Sequence, residues 1–190
     1  GNVMFLMLDS ETPYQLPRMD PEQVAWAEKQ MKFAFDNNMM IFAGLHRPLY
    51  CSNHGADCTI FADFFRERLE SLFVKYRVAV VHVGHMHDYE RTLPMLNGKA
   101  TATNYTNPPS PFTMVNGAGG CVEGPSAFKA EKPDWSMFRS DDWGFVRMAL
   151  QTSAEGDKTL DTFFVNANTN AVMDTVHLTQ TKNVVGGDRN

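Results

Sequence analysis

Four of the six histidines in the 190-residue chain stand where chemistry would need them. His85 and His87 lie in Gly84-His85-Met86-His87, just past an apolar run. In extended backbone, residues i and i+2 point to the same side, so both imidazoles can face one pocket. His46 stands in Gly44-Leu45-His46-Arg47-Pro48, just past the preceding apolar run. Open α/β sheets bind ligands outside the carboxyl ends of their strands, and neutral imidazole suits zinc, iron, manganese and copper. His46, His85 and His87 are therefore candidate metal ligands. They can form a three-histidine zinc site with an open position for water, or part of a larger site whose carboxylates come from elsewhere. The competing reading is three loop histidines that happen to cluster. His54, in the loop after His46, is the fourth candidate. Asp88 and Glu90 are expected to support the ligands or the fold rather than bind metal. Asp9 and Glu11 follow the first strand and could reach the same sheet edge, as lesser candidates. His82 and His177 read as packed or structural.

Short elements must position these residues. The apolar run at 3–8 reads as a buried strand. Asp20-Pro21-Glu22-Gln23 reads as a helix start, with Asp at the N-cap, Pro at N1 and Gln at N3. Val24, Ala27, Met31, Ala34 and Phe35 continue the helix at spacings of three and four, up to Asn37-Asn38. A strand at 39–43 and a loop at 44–57 follow. A second helix is predicted over 59–75, with Ile60, Phe64, Leu69, Leu72 and Phe73 as its stripe. The run 78–83 is apolar on both faces, as in a parallel sheet covered by helices. Beyond residue 92 the texture changes. A polar loop at 99–111 precedes strands at 112–116, 143–150, 160–166 and 171–178. Turn signals join them at 117–120, 155–156 and 168–170. Only short turns are expected between 125 and 142. The fold class is α/β: a βαβαβ run followed by antiparallel strands, with no linker that would split it.

Composition narrows the function classes. The chain is 43% hydrophobic and 21% charged, as in ordinary globular proteins, and long enough to bury a core. Its net charge is −5, and no Lys/Arg block suggests a nucleic-acid partner. The apolar runs are too short for a membrane-spanning helix. There are three cysteines, an odd number. Cys51 and Cys58 enclose a loop-like segment, and both a disulfide in an oxidising compartment and two reduced thiols stay open on spacing alone. Asn104-Tyr105-Thr106 is a glycosylation sequon in a polar loop. No signal peptide is visible. The chain opens in a strand-like run, as a piece of a larger protein would.

The string Gly84-His85-Met86-His87-Asp88-Tyr89-Glu90-Arg91-Thr92 resembles the last metal motif of the purple acid phosphatases, which are calcineurin-like metallophosphoesterases. The segment from Gly44 through His46 to Asn53 resembles the preceding motif. With Cys51 and Asp57-Cys58 it is more similar to animal and protist members than to plant ones. Gln23-Val24-Ala25-Trp26, Asn116-Gly117-Ala118-Gly119-Gly120 and Asp142-Trp143-Gly144-Phe145 resemble further stretches, as does Gly1-Asn2-Val3 leading to Leu8-Asp9-Ser10-Glu11. The resemblance implies a four-layer αββα sandwich with a binuclear centre of Fe(III) and a divalent iron, zinc or manganese. His46 and His85 would bind the divalent ion and His87 the ferric ion. His54 would contact the substrate phosphate or protonate the leaving group, giving an acid optimum. The implied activity is acid phosphatase hydrolysis of phosphate monoesters, in a secreted or lysosomal/vacuolar setting. The family's Asp-x-Gly, Gly-Asp-x-x-Tyr and Gly-Asn-His motifs do not occur in this chain. Residues 1–190 are therefore expected to be the C-terminal half of the sandwich, completed by an N-terminal half of the same protein. The alternatives are another two-metal phosphoesterase, acting on nucleotides or cyclic nucleotides, and, for the chain alone, a non-catalytic fragment.

Overall fold

Apolar runs too short for helices alternate with amphipathic stretches in the first half, and the backbone follows that rhythm. The computed structural model describes residues 2–11 and 17–182; Gly1 lies outside them. Strand β1 (Val3–Met7) is followed by α1 (Pro21–Asp36), β2 (Met40–Leu45), α2 (Ile60–Lys75) and β3 (Val78–Val83). A single 3-10 turn, Ala56–Cys58, precedes α2. The second half holds β4 (Tyr89–Leu96), β5 (Lys99–Ala100), β6 (Phe112–Asn116), β7 (Ser136–Ser140), β8 (Gly144–Thr152), β9 (Lys158–Asn166) and β10 (Val172–Gln180).

Helix α1 starts where the sequence predicts, but its start is not sealed by a capping box. Asp20 makes no capping bond; its carboxylate accepts instead from Arg18 Nε at 3.0 Å. The Gln23 amide turns away to clamp Asp9, accepting its N–H and donating to its carbonyl, both at 2.8 Å. The N3 residue thus pins the chain leaving β1 instead of closing a capping box with Asp20.

Strands β1, β2, β3 and β6 pair in parallel in that order. β4 lies antiparallel on the far side of β6, and carries β5 and β7. Strands β8, β9 and β10 form a separate antiparallel meander. Side chains alternate across β2. Ile41 and Ala43 face Ala27, Met31 and Ala34 of α1 and Phe65, Leu69 and Phe73 of α2 in one core. Met40 and Phe42, with Phe112 and Met114, face Leu160, Phe164, Val176 and Leu178 of the meander in the other. Helices, mixed sheet and antiparallel sheet are consecutive layers of the expected αββα order. Among the described residues β1 is an outermost strand of the sheet, with Phe5 and Met7 exposed.

Three strands were not legible in the sequence. Residues 89–96, for which no element is predicted, form the strand β4, the short β5 falls in the loop expected at 99–111, and the short turns expected before residue 142 include β7. Buried Glu90, Arg91 and Thr92 break any apolar alternation in β4. Pro94 falls at an irregularity in the β4–β6 register, a position that tolerates its missing N–H.

Buried Arg91 joins the two sheets. Its Nε and Nη2 donate to the two carboxylate oxygens of Asp174 on β10, at 2.6 and 2.8 Å. The Tyr89 hydroxyl donates to the same carboxylate at 2.9 Å, and its ring stacks on Phe164. Removing one partner of a buried ion pair leaves the other charge stranded, at about 3–5 kcal/mol. Asp174→Ala should therefore lower the unfolding free energy by an amount in that range, read as a lower urea midpoint at an unchanged m-value; a loss under about 1 kcal/mol would mean the pair is solvated.

Candidate metal centre

The ends of β2 and β3 set the site. They are parallel neighbours with Leu45 opposite Val83, so the two following loops leave the sheet side by side. The Gly84 N–H donates to the His46 carbonyl at 3.0 Å. Buried Ser10, after β1, accepts the backbone N–H groups of His46 and Arg47 through its hydroxyl, both at 3.1 Å. Three consecutive parallel strands thus contribute to one loop cluster at their carboxyl ends.

The 84–88 segment is curled, not extended. Met86 N–H bonds to the Gly84 carbonyl and Asp88 N–H to that of Met86, both at 2.8 Å, which makes two successive three-residue turns. His85 at their start has φ 65°. The alternation argument for His85 and His87 is therefore replaced by a turn that still brings both rings to one cavity. Gly117, after β6, packs against this turn so closely that a Cβ would lie 1.9 Å from the Met86 carbonyl oxygen.

His46, His85 and His87 line a cavity of about 790 Å³, together with Glu11, Arg47, Asp57 and Glu123. His85 Nδ1 lies 3.0 Å from His46 Nε2, with the rings steeply inclined at 77°. Two imidazole nitrogens bound at about 2.1 Å would lie about 3.0 Å apart at right angles and about 3.4 Å apart at the tetrahedral angle of zinc, and 3.0 Å is also a hydrogen-bonding distance. The pair fits a shared metal. Burial, and then the charge of His85, lower the pKa of His46 against the opposing pull of Glu11, which favours the neutral, ligating form. His87 Nδ1 lies 3.3 Å from the Gly124 carbonyl. That contact assigns the ring proton to Nδ1 and leaves Nε2 as the available lone pair. His87 N–H also donates to Ser126 Oγ at 2.8 Å. His87, Cys121 and Glu123 offer ligand atoms lying within 4.8 Å of one another. Nothing in the spacing of Cys121 and Glu123 connected them to His87.

His54 does not join this group. It is exposed, does not line the cavity, and its N–H meets the Ala127 carbonyl at 3.5 Å. Its loop is closed by a Cys51–Cys58 disulfide, while Cys121 is free. Arg47 is buried; its Nε and Nη2 donate to Glu11 at 2.8 and 3.1 Å, and its Nη1 donates to Asp57. Glu11 is thus a cavity residue engaged by arginine, whereas Asp9 is exposed. Glu90 accepts from Ser52 N–H, Ser52 Oγ and Ser136 Oγ at 2.7, 2.6 and 2.5 Å. Asp88 accepts from Asn53 Nδ2 at 2.6 Å. Both are supports, as expected. Neither His82, beside Asn116, nor His177, paired with Asp161, lines the cavity.

Two predictions follow from these contacts. Gly117→Ala forces the backbone beneath His87 to move and should cost about 1–3 kcal/mol; an unchanged Tm would contradict the close approach. Burial also pushes the Asp88 carboxyl from 3.8 up to about 7, against the hydrogen bond from Asn53. The folded state then binds this proton more tightly than the unfolded state. The stabilisation is complete below pH 3.8 and is lost as pH rises through about 7. In chelator-treated protein, the Tm of Asp88→Asn should gain on the parent between those values; a constant gap would show that Asp88 titrates normally.

A family model described as "Iron/zinc purple acid phosphatase-like protein C" matches residues 110–175. Acid phosphatase type 7 of Danio rerio is 37% identical over 55% of this chain and 27% of that protein. Probable inactive purple acid phosphatase 27 of Arabidopsis thaliana is 34% identical over 54% of this chain and 18% of that protein. The structure of a purple acid phosphatase from yellow lupin (Lupinus luteus) seeds superposes with a TM-score of 0.77 at 24% identity, over 94% of this chain and 31% of that one. The chain spans less than a third of the length of either curated relative.

Proposed function

The chain belongs to the purple acid phosphatase family, and we propose that it supplies the histidine ligands of a binuclear centre in an acid phosphatase acting on phosphate monoesters. The observation that carries this reading is the 3.0 Å approach of His85 Nδ1 to His46 Nε2 at neighbouring strand ends. That pair is assigned to a divalent iron, zinc or manganese, and His87 to ferric iron. Residues 1–190 are assigned to the C-terminal part of the metallophosphoesterase catalytic domain, with the remaining ligands on its N-terminal half. Exposed Phe5 and Met7 on the outermost strand β1 support a neighbour there.

Two bound cations would supply the positive charge that holds a phosphoryl group and polarises it toward attack by water. This chain's residues do the rest. Ser10 holds the His46 backbone, and Gly124 orients the His87 ring. His54, on the disulfide-closed loop and exposed, is the assigned donor of a proton to the leaving alcohol. A donor histidine must be charged, which favours acid pH. The Cys51–Cys58 bridge and the exposed Asn104 sequon support a glycosylated, secreted or lysosomal/vacuolar protein. No helix among the described residues is long and apolar enough to cross a membrane.

The name of the Arabidopsis relative favours a second reading, in which the histidines persist without turnover. Metal analysis and p-nitrophenyl phosphate hydrolysis on the intact polypeptide separate the two. Under the first reading, His85→Ala loses the divalent ion and lowers hydrolysis about a hundredfold or more. Full retention of both would overturn it, and bound metal without hydrolysis in the parent would support the second.

A further inference from the structure

We propose that Asp57 is a positioning residue, which fixes the tautomer and orientation of His85 so that its Nδ1 lone pair faces a divalent cation. The proposal rests on the reading of His85 as a ligand. Asp57 Oδ1 lies 3.1 Å from His85 Nε2. An ionised carboxylate only accepts, so Nε2 carries the ring proton. A neutral imidazole has one such proton, which leaves Nδ1 bare, and Nδ1 is the atom that points to His46 Nε2 at 3.0 Å. Arg47 Nη1 is the other neighbour of Nε2, at 3.5 Å. It is a donor that cannot accept the ring proton, so the nearer carboxylate decides the tautomer.

Asp57 is itself held in place. Arg47 donates to it, and the same guanidinium is fixed on Glu11. Asp57 sits in the 3-10 turn Ala56–Cys58, which the disulfide to Cys51 ties to the end of the β2 loop. The Asp57 and His85 side chains are 24% and 27% exposed, so water competes only in part for their hydrogen bond. A carboxylate behind a ligating histidine orients the ring and raises its basicity, and losing it costs about 10–100-fold in metal affinity. The bland alternative is that Asp57 only neutralises Arg47.

The test uses the intact polypeptide with Asp57→Ala, Asp57→Asn and His85→Ala. Zinc affinity is read by chelator competition, and the His85 tautomer in chelated protein by nitrogen-15 NMR. The expected result is a 10–100-fold weaker zinc affinity for Asp57→Ala, with His85 passing from one tautomer to a mixture. Asp57→Asn keeps an acceptor for Nε2–H without the charge, and should lose about tenfold while keeping the tautomer. A lowered Tm with parental affinity and tautomer in both variants would show a counterion for Arg47 and overturn the proposal. If Asp57→Ala does not fold, Asp57→Asn decides: the tenfold loss supports positioning, and parental affinity refutes it. Zinc retained by His85→Ala would instead refute the ligand reading itself.

Discussion

The parallel pairing of β2 with β3 is the constraint on which the site depends. It ends with Leu45 beside Val83, and the loops that follow carry His46 and His85 out of the sheet together. These two residues are 39 apart in the chain, and no local interaction would hold their ring nitrogens 3.0 Å apart. A one-residue slip would turn Ile41 and Ala43 toward the wrong core and move His46 out of step with the 84–88 turn. The hydrophobic sandwich on both faces of β2 is what makes that slip costly.

Around this register the protein buries charge. Glu90, Asp88 and Arg91 are consecutive or nearly so, all within four residues of His87, and all are buried. Partners come from different parts of the chain: Ser52 and Ser136 for Glu90, Asp174 for Arg91, and Asn53 for one oxygen of Asp88, whose other oxygen has no partner among the described residues. Unmatched, each would carry a large desolvation cost. Matched, they tie the disulfide loop, β7 and β10 to the strand that begins two residues after His87. The candidate site is therefore braced from β7 and β10 in the second half of the chain, although both of its histidine-bearing segments follow strands of the first, His46 after β2 and His85 with His87 after β3.

The same contacts explain what the residue pattern conveyed and what it hid. Helix α1 and strands β2 and β3 are legible because their apolar spacing is their packing surface; β1 and α2 are placed by the same signal, although Phe5, Met7 and Ile60 stand exposed and Ala62 and Phe65 pack in place of Ile60. β4 and β7 are not, because their buried polar residues make sense only beside partners far away in the chain. His46, His85 and His87 stand out as candidates because they follow strand ends, although a left-handed turn, not extended backbone, brings His85 and His87 to one cavity. His54 was placed at the same site, and the structure leaves it exposed outside the cavity lining. Asp57 figures in the sequence only through the resemblance of the 51–58 segment, and nothing there ties it to His85.

By itself the sequence determined the α/β class, a βαβαβ run before antiparallel strands, because that depends on periodicity; its short motifs carried the family resemblance, with the layer order it implies, and singled out His46, His85 and His87 as candidates. It left open whether Cys51 and Cys58 are joined and which carboxylates reach the histidines. Only the tertiary structure decided those. It closed the 51–58 loop, swung Asp57 behind His85, gave Glu11 to Arg47 and left Asp9 in solvent. Such choices turn on where a loop ends after a helix and a sheet have packed, and that position is a property of the assembled core rather than of any window of residues.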